Sequence, residues 1–166
     1  GPTPDPTVTG TVTTTATVTP TPTPSSTPDP SLIDVTLNEF MPDPASDWNG
    51  DGTVTQDDEY IELFNTGPQP VDLGGWLLDD MDDSQSKVRS FFAPDGSRPF
   101  VIPAGTVIDP GGFVVFFGSE TDVTLNNGGD WVRLIRPDGV VVEAFEYTTS
   151  RDDQAYSKML DGGDEW

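Results

Sequence analysis

An all-β fold built as an antiparallel sandwich is what this sequence predicts, and three observations predict it. Glycine and proline number 17 each in 166 residues, while apolar residues reach only 33%. Such punctuation suits short strands joined by turns rather than helices. Alternating or continuous apolar runs recur about every ten residues, the rhythm of a sandwich or barrel. Strong turn signals separate them: Gly67-Pro68, Asn126-Asn127-Gly128-Gly129 and Pro137-Asp138-Gly139.

Residues 1–30 form an arm rich in threonine and proline, and residues 31–166 form the sandwich. Gly1–Pro6 and Pro20–Pro30 alternate Thr with Pro and predict extended spacers of polyproline type. Between them Thr7–Thr19 carries threonine at every odd position, with Val8, Gly10, Val12, Thr14, Ala16 and Val18 at the even ones. Strict period 2 in mostly β-branched residues predicts a strand with one hydroxyl face and one small apolar face. Spacers isolate it from any neighbour, so its partner would be an exposed sheet edge, on another copy of the protein. The other reading of the arm is a disordered, glycosylated stalk.

Leu32–Phe40 places Ile33, Val35 and Leu37 on one strand face. Glu59–Asn65 is the next strand, and Val71–Asp79 the third, with a bulge or bend at Gly74-Gly75. Asp80–Arg98 is a long polar loop, followed by a short strand at Phe100–Ile102 and a turn region at Gly105–Gly112. Phe113–Phe117 is continuously apolar, which predicts a strand buried on both faces. Trp131–Arg136 and Val140–Tyr147 flank Asp138-Gly139 as a hairpin, and Ala155–Met159 offers a last short strand. Seven or eight short strands without a convincing helix read as a sandwich of immunoglobulin type.

Composition excludes several functions. Lys and Arg total 7 against 29 Asp and Glu, a formal charge of −22, so a phosphate backbone would be repelled and nucleic acid is not the partner. No histidine is present, which removes the usual general base and transition-metal ligand. Acidic pairs arise here by composition alone, and nothing sets two of them across a cleft, so the sequence reads as a non-enzyme. No apolar run approaches the ~20 residues of a membrane span. The acidic excess fits a protein outside the cell or at its surface, secreted with its leader removed.

One insertion carries metal chemistry. Asp47–Asp58, DWNGDGTVTQDD, has oxygen-bearing residues at its first, third, fifth, seventh, ninth and twelfth places and glycine at its sixth. That is the spacing of a calcium loop of the EF-hand or dockerin kind. A hard cation takes six to eight oxygens at about 2.4 Å, which alternate residues of a tight loop can supply. The expected calcium ligands are Asp47, Asn49, Asp51 and Asp58 with the Thr53 carbonyl; Thr55 would act through water, and Glu59 or Glu62 would complete the shell. A strand rather than a helix follows, so the ion would be a brace and not a sensor switch. Asp79–Asp83 is a weaker second cation candidate, because its carboxylates are adjacent without glycine spacing.

The sandwich region also carries a family likeness. Leu37-Asn-Glu-Phe40, Glu59-Tyr-Ile-Glu-Leu-Phe-Asn65, Val71-Asp-Leu-Gly-Gly-Trp76 and Ile102–Gly112 occur in order. Leu125-Asn-Asn-Gly-Gly-Asp130, Val132-Arg-Leu134 and Pro137-Asp-Gly139 follow, with Arg151-Asp-Asp153 and Asp161-Gly-Gly163 beyond. Together, over about residues 32–166, they resemble the bacterial lamin-tail domain, an immunoglobulin-like module also found at the end of nuclear lamins. The resemblance implies attachment and interaction without catalytic residues, on secreted or surface proteins. The chain departs from the simplest pattern by the Asp47–Asp58 insertion and the Thr/Val arm.

The resulting expectation is a calcium-stabilised structural module that self-associates into filaments or a surface layer. Its arm strand would hand Val8, Val12, Ala16 and Val18 to a sheet edge of the next copy, a contact that does not close on itself. Two readings compete: a monomeric adhesion module on a stalk, and an accessory domain of a larger secreted hydrolase or nuclease. The tryptophans at 48, 76, 131 and 166 keep carbohydrate or cell-wall contact open, with Trp76 read as core.

Overall fold

In a computed structural model the described residues are 34–80 and 99–166. The Thr7–Thr19 strand, and with it Val8, Val12, Ala16 and Val18, lies outside them, as do Leu32, Ile33 and Asp82-Asp83.

Among the described residues ten short strands form: β1 Val35–Met41, β2 Tyr60–Asn65, β3 Val71–Asp72, β4 Leu77–Asp79, β5 Phe100–Val101, β6 Val107–Ile108, β7 Phe113–Phe117, β8 Asp130–Ile135, β9 Val141–Tyr147 and β10 Tyr156–Ser157. One four-stranded sheet runs β10-β1-β2-β7 and the other β5-β4-β8-β9, with β3-β6 as a small two-stranded sheet. Every pairing is antiparallel. The expected sandwich is what forms.

Alternation explains the core. Val35 and Leu37 of β1, Ile61 and Leu63 of β2, Leu78 of β4, and Val132 and Leu134 of β8 all turn inward and are buried. A register shift between Leu37 and Glu39 brings Phe40 to the same inward face as Leu37, and Met41 at the strand's end is buried as well. Trp76 is core, as expected, at 3% exposure. Phe100 meets Phe116 at 5.6 Å, which lays β5 over β7; Phe145 meets Tyr156 at 5.7 Å, which lays β9 against β10. Trp166 closes that second side against Phe40 and Phe145.

Three expectations need correction. The strand at Val71–Asp79 is two strands, because the chain turns at Gly74-Gly75 and passes from the β3-β6 pair into the larger sheet. Part of the Gly105–Gly112 turn region is strand β6, which pairs with β3. Phe113–Phe117 is not buried on both faces: Phe113 is 47% and Val115 36% exposed. Among the described residues it is an edge strand, paired with β2 alone, and its Val114 and Phe116 supply the inward face. A one-turn helix, α1 Gly118–Thr121, ends it.

Candidate functional site

The Asp47–Asp58 loop links β1 to β2 on the outside of the sandwich. Its carboxylates organise the backbone from within. Asp47 Oδ1 accepts from Gly50 N–H at 2.7 Å and Oδ2 from Gly52 N–H at 2.9 Å. Asn49 Oδ1 accepts from Asp51 N–H at 2.9 Å, and Asp51 Oδ1 from the Thr53 N–H and hydroxyl at 2.8 and 2.7 Å. Those Thr53 bonds hold the Asp51 carboxyl below its usual range. Gly52 sits at φ +92°, in the left-handed region, so the sixth place needs glycine for the turn. Asp58, the twelfth residue, is fully buried; its Oδ1 accepts from Trp48 N–H at 2.8 Å and Asn49 N–H at 3.1 Å, and its Oδ2 from Thr55 N–H at 2.8 Å. It thereby ties the start of the loop to its end.

The expected ligands are thus brought to one loop and turned toward its backbone. Among the described residues no three acidic side chains stand together closely enough to hold an ion as placed. Donor chemistry nevertheless suits a hard cation, with carboxylate and amide oxygens only. Glu59 stands apart from the set. It is buried, and its Oε2 accepts from Leu125 N–H at 2.7 Å, on the core side. Burial pushes its carboxyl up to about 8, against the Leu125 bond and helped by Asp130, Asp43 and Asp80. Glu62 accepts from Asn38 Nδ2 at 2.9 Å on the sheet.

Two braces hold the loop to the sandwich. One is a close approach: a Cβ on Gly118 would lie 2.4 Å from the Gln56 carbonyl oxygen, so α1 starts directly on the 3-10 turn at Gln56–Asp58. The other is Asp153. Its Oδ1 accepts from Ala45 N–H at 2.8 Å and Trp48 Nε1 at 2.9 Å, and its Oδ2 from Ser46 Oγ at 2.6 Å. These bonds, Ser46 first, then Trp48 and Ala45, hold its carboxyl at about 2. Asp153 N–H donates back to the Asp43 carbonyl at 2.9 Å. Spacing inside the loop could not reveal a partner about a hundred residues away; the signal was Arg151-Asp-Asp153 in the family likeness.

Asp79, the first residue of the second cation candidate, is instead held by Arg133 through paired bonds of 2.6 and 2.7 Å, both residues buried. Trp48 is exposed and packs at 6.2 Å from Tyr60; Trp131 is half-buried. No helix among the described residues is long and apolar enough to cross a membrane.

Two antiparallel sheets packed face to face over one core define an immunoglobulin-like β-sandwich, a scaffold class. The chain belongs to the lamin tail domain family, whose model matches residues 28–149, well over half of its length. No curated protein matches the chain. The family is one of non-catalytic, immunoglobulin-like domains, and it marks this chain as a structural or interaction module. The match stops short of Asp153, β10 and Trp166, which nevertheless pack into the domain.

Proposed function

We propose that the chain is a calcium-braced assembly module working outside the cell, joined to further copies of itself through Thr7–Thr19. One observation carries the reading. An uncharged, strictly alternating β-branched run is attached by a proline-rich spacer to a lamin tail sandwich, in a chain of net charge −22. Such a run gains little as a lone strand, since its backbone groups find partners only in a sheet. β-Strand addition supplies them, and head-to-tail repetition extends into a filament.

Calcium is the second part of the proposal. Asp47, Asn49, Asp51 and Asp58 would hold the ion by side chains, with the Thr53 carbonyl. What supports it is the ligand spacing, with Gly52 at the turn and hard oxygen donors at the alternate places. Bound there, the ion would offset the charge of an acidic connection and fix it against β2.

Electron microscopy of the purified protein in calcium tests the assembly. Fibres or regular arrays are expected; a uniform population of single particles at all protein concentrations contradicts it.

A further inference from the structure

Two of the longer strands, β7 and β9, have one side without a neighbouring strand among the described residues. They differ in how that side is defended. β9 carries Glu143 and Glu146. Glu143 is already engaged: its Oε2 accepts from Leu37 N–H at 3.0 Å and from the Thr36 hydroxyl, and its Oε1 pairs with Lys158 at 2.9 Å. That carboxylate also closes β1 beyond the two-residue β10. Charge at an edge is how sheets avoid unwanted pairing.

β7 has no such defence. Phe113-Val-Val-Phe-Phe117 is uncharged, and Phe113 and Val115 are exposed. Its ladder with β2 is bounded by two bonds: Asn65 N–H to the Gly112 carbonyl at 3.1 Å, and Gly118 N–H to the Glu59 carbonyl at 2.7 Å. Antiparallel alternation then turns the backbone of the even-numbered residues toward β2 and that of Phe113, Val115 and Phe117 outward. Glu120 Oε2 takes the Phe117 N–H at 3.2 Å. Among the described residues the open backbone positions are therefore those of Phe113 and Val115.

We propose that this edge receives Thr7–Thr19 of a second copy of the chain, as a fifth strand on the sheet β10-β1-β2-β7. The assignment rests on the assembly reading above and names its receiving site. None of the 29 acidic residues falls within Thr7–Thr19, so an uncharged strand meets the uncharged edge. An added strand turns alternate side chains to opposite faces. The even-numbered face, with Val8, Val12, Ala16 and Val18, would lie toward Phe100 and Phe116, which pack together at 5.6 Å. The threonine face lies beside Phe113 and Val115, toward solvent. β7 offers five positions, so about five of the donor residues pair directly.

Reach decides between the chain's own edge and a neighbour's. Asp34 leads into β1, which β2 alone separates from β7, a distance of about 10 Å at the strand spacing. The Pro20–Pro30 spacer has proline at 20, 22, 24, 28 and 30. That composition favours an extended rod of about 3.1 Å per residue, roughly 34 Å in all. It overshoots the chain's own edge and delivers the strand to the next copy.

The chain has no cysteine, so single-cysteine proteins mixed in pairs report contacts between copies. One partner carries Val115→Cys; the other carries Thr9→Cys, Thr11→Cys, Thr13→Cys, Thr15→Cys or Thr17→Cys. Val142→Cys on β9, also exposed, is the comparison. After oxidation in calcium, at least one threonine position is expected to link to Val115→Cys about tenfold more than to Val142→Cys. Equal yields, or preference for Val142→Cys, overturn the β7 assignment, even where removal of residues 1–30 abolishes assembly and upholds the assembly reading. A doubly substituted chain that links only within itself overturns the second copy as occupant. Assemblies that persist without residues 1–30 overturn the assembly reading and the edge with it.

Discussion

Asp153 shows how one carboxylate can hold a connection of a dozen residues in place. It collects Ala45, Ser46 and Trp48, and its pKa of about 2 lies below the ordinary 3.8. A depressed acid holds its charge more firmly in the folded state. Its contribution is therefore full above 3.8 and is lost as the pH falls through about 2. Asp153→Asn keeps the size and tolerates the left-handed backbone at φ +53°. We expect it to lower the melting temperature at neutral pH, to shift Trp48 fluorescence, and to flatten the acid limb of the melting curve. An acid limb identical to that of the unsubstituted protein would contradict this. The buried Arg133–Asp79 pair makes the opposite kind of case. Asp79→Leu removes the partner of a guanidinium whose Nη1 already lacks an acceptor, and should cost about 3–5 kcal/mol in denaturant melts. The double substitution Asp79→Leu/Arg133→Met should recover most of that; a pair as unstable as Asp79→Leu alone would refute the desolvation account.

At the scale of elements, legibility in the sequence followed the reach of the interactions. Strands β1, β2, β8, β9 and β10 and the Asp138-Gly139 hairpin were readable because alternation and turn chemistry act between near neighbours. The two-residue strand β6 was not, since it exists only through its pairing with β3, and β3 itself was read as continuous with β4. β7 was misread for a similar reason: five apolar residues in a row state composition, not which neighbours cover them. In the loop, ligand spacing and the glycine turn were legible. The side-chain directions of Asp58 and Glu59 were not, because they depend on the folded loop at Trp48 and on Leu125 across the fold. The loop carries its own prediction. An ion bound only to the folded state stabilises it, so excess chelator should lower the melting temperature, and Asp47→Ala with Asp51→Ala should remove that difference. An unchanged melting temperature in chelator contradicts the calcium brace.

For the whole molecule, a charge of −22 on 166 residues makes copies repel one another at low ionic strength. Association of such a protein needs a contact that charge does not oppose, and the uncharged, β-branched Thr7–Thr19 run is the segment we propose for it. In the proposed assembly the lamin tail sandwich is the body and the Thr/Pro-rich arm would be the link. Sedimentation velocity on the full chain and on residues 31–166, both in calcium, separates the two parts. The full chain should sediment as large, concentration-dependent species, while residues 31–166 sediment as a single folded monomer. Assemblies of the same size from both proteins, or monomers from both, would contradict it.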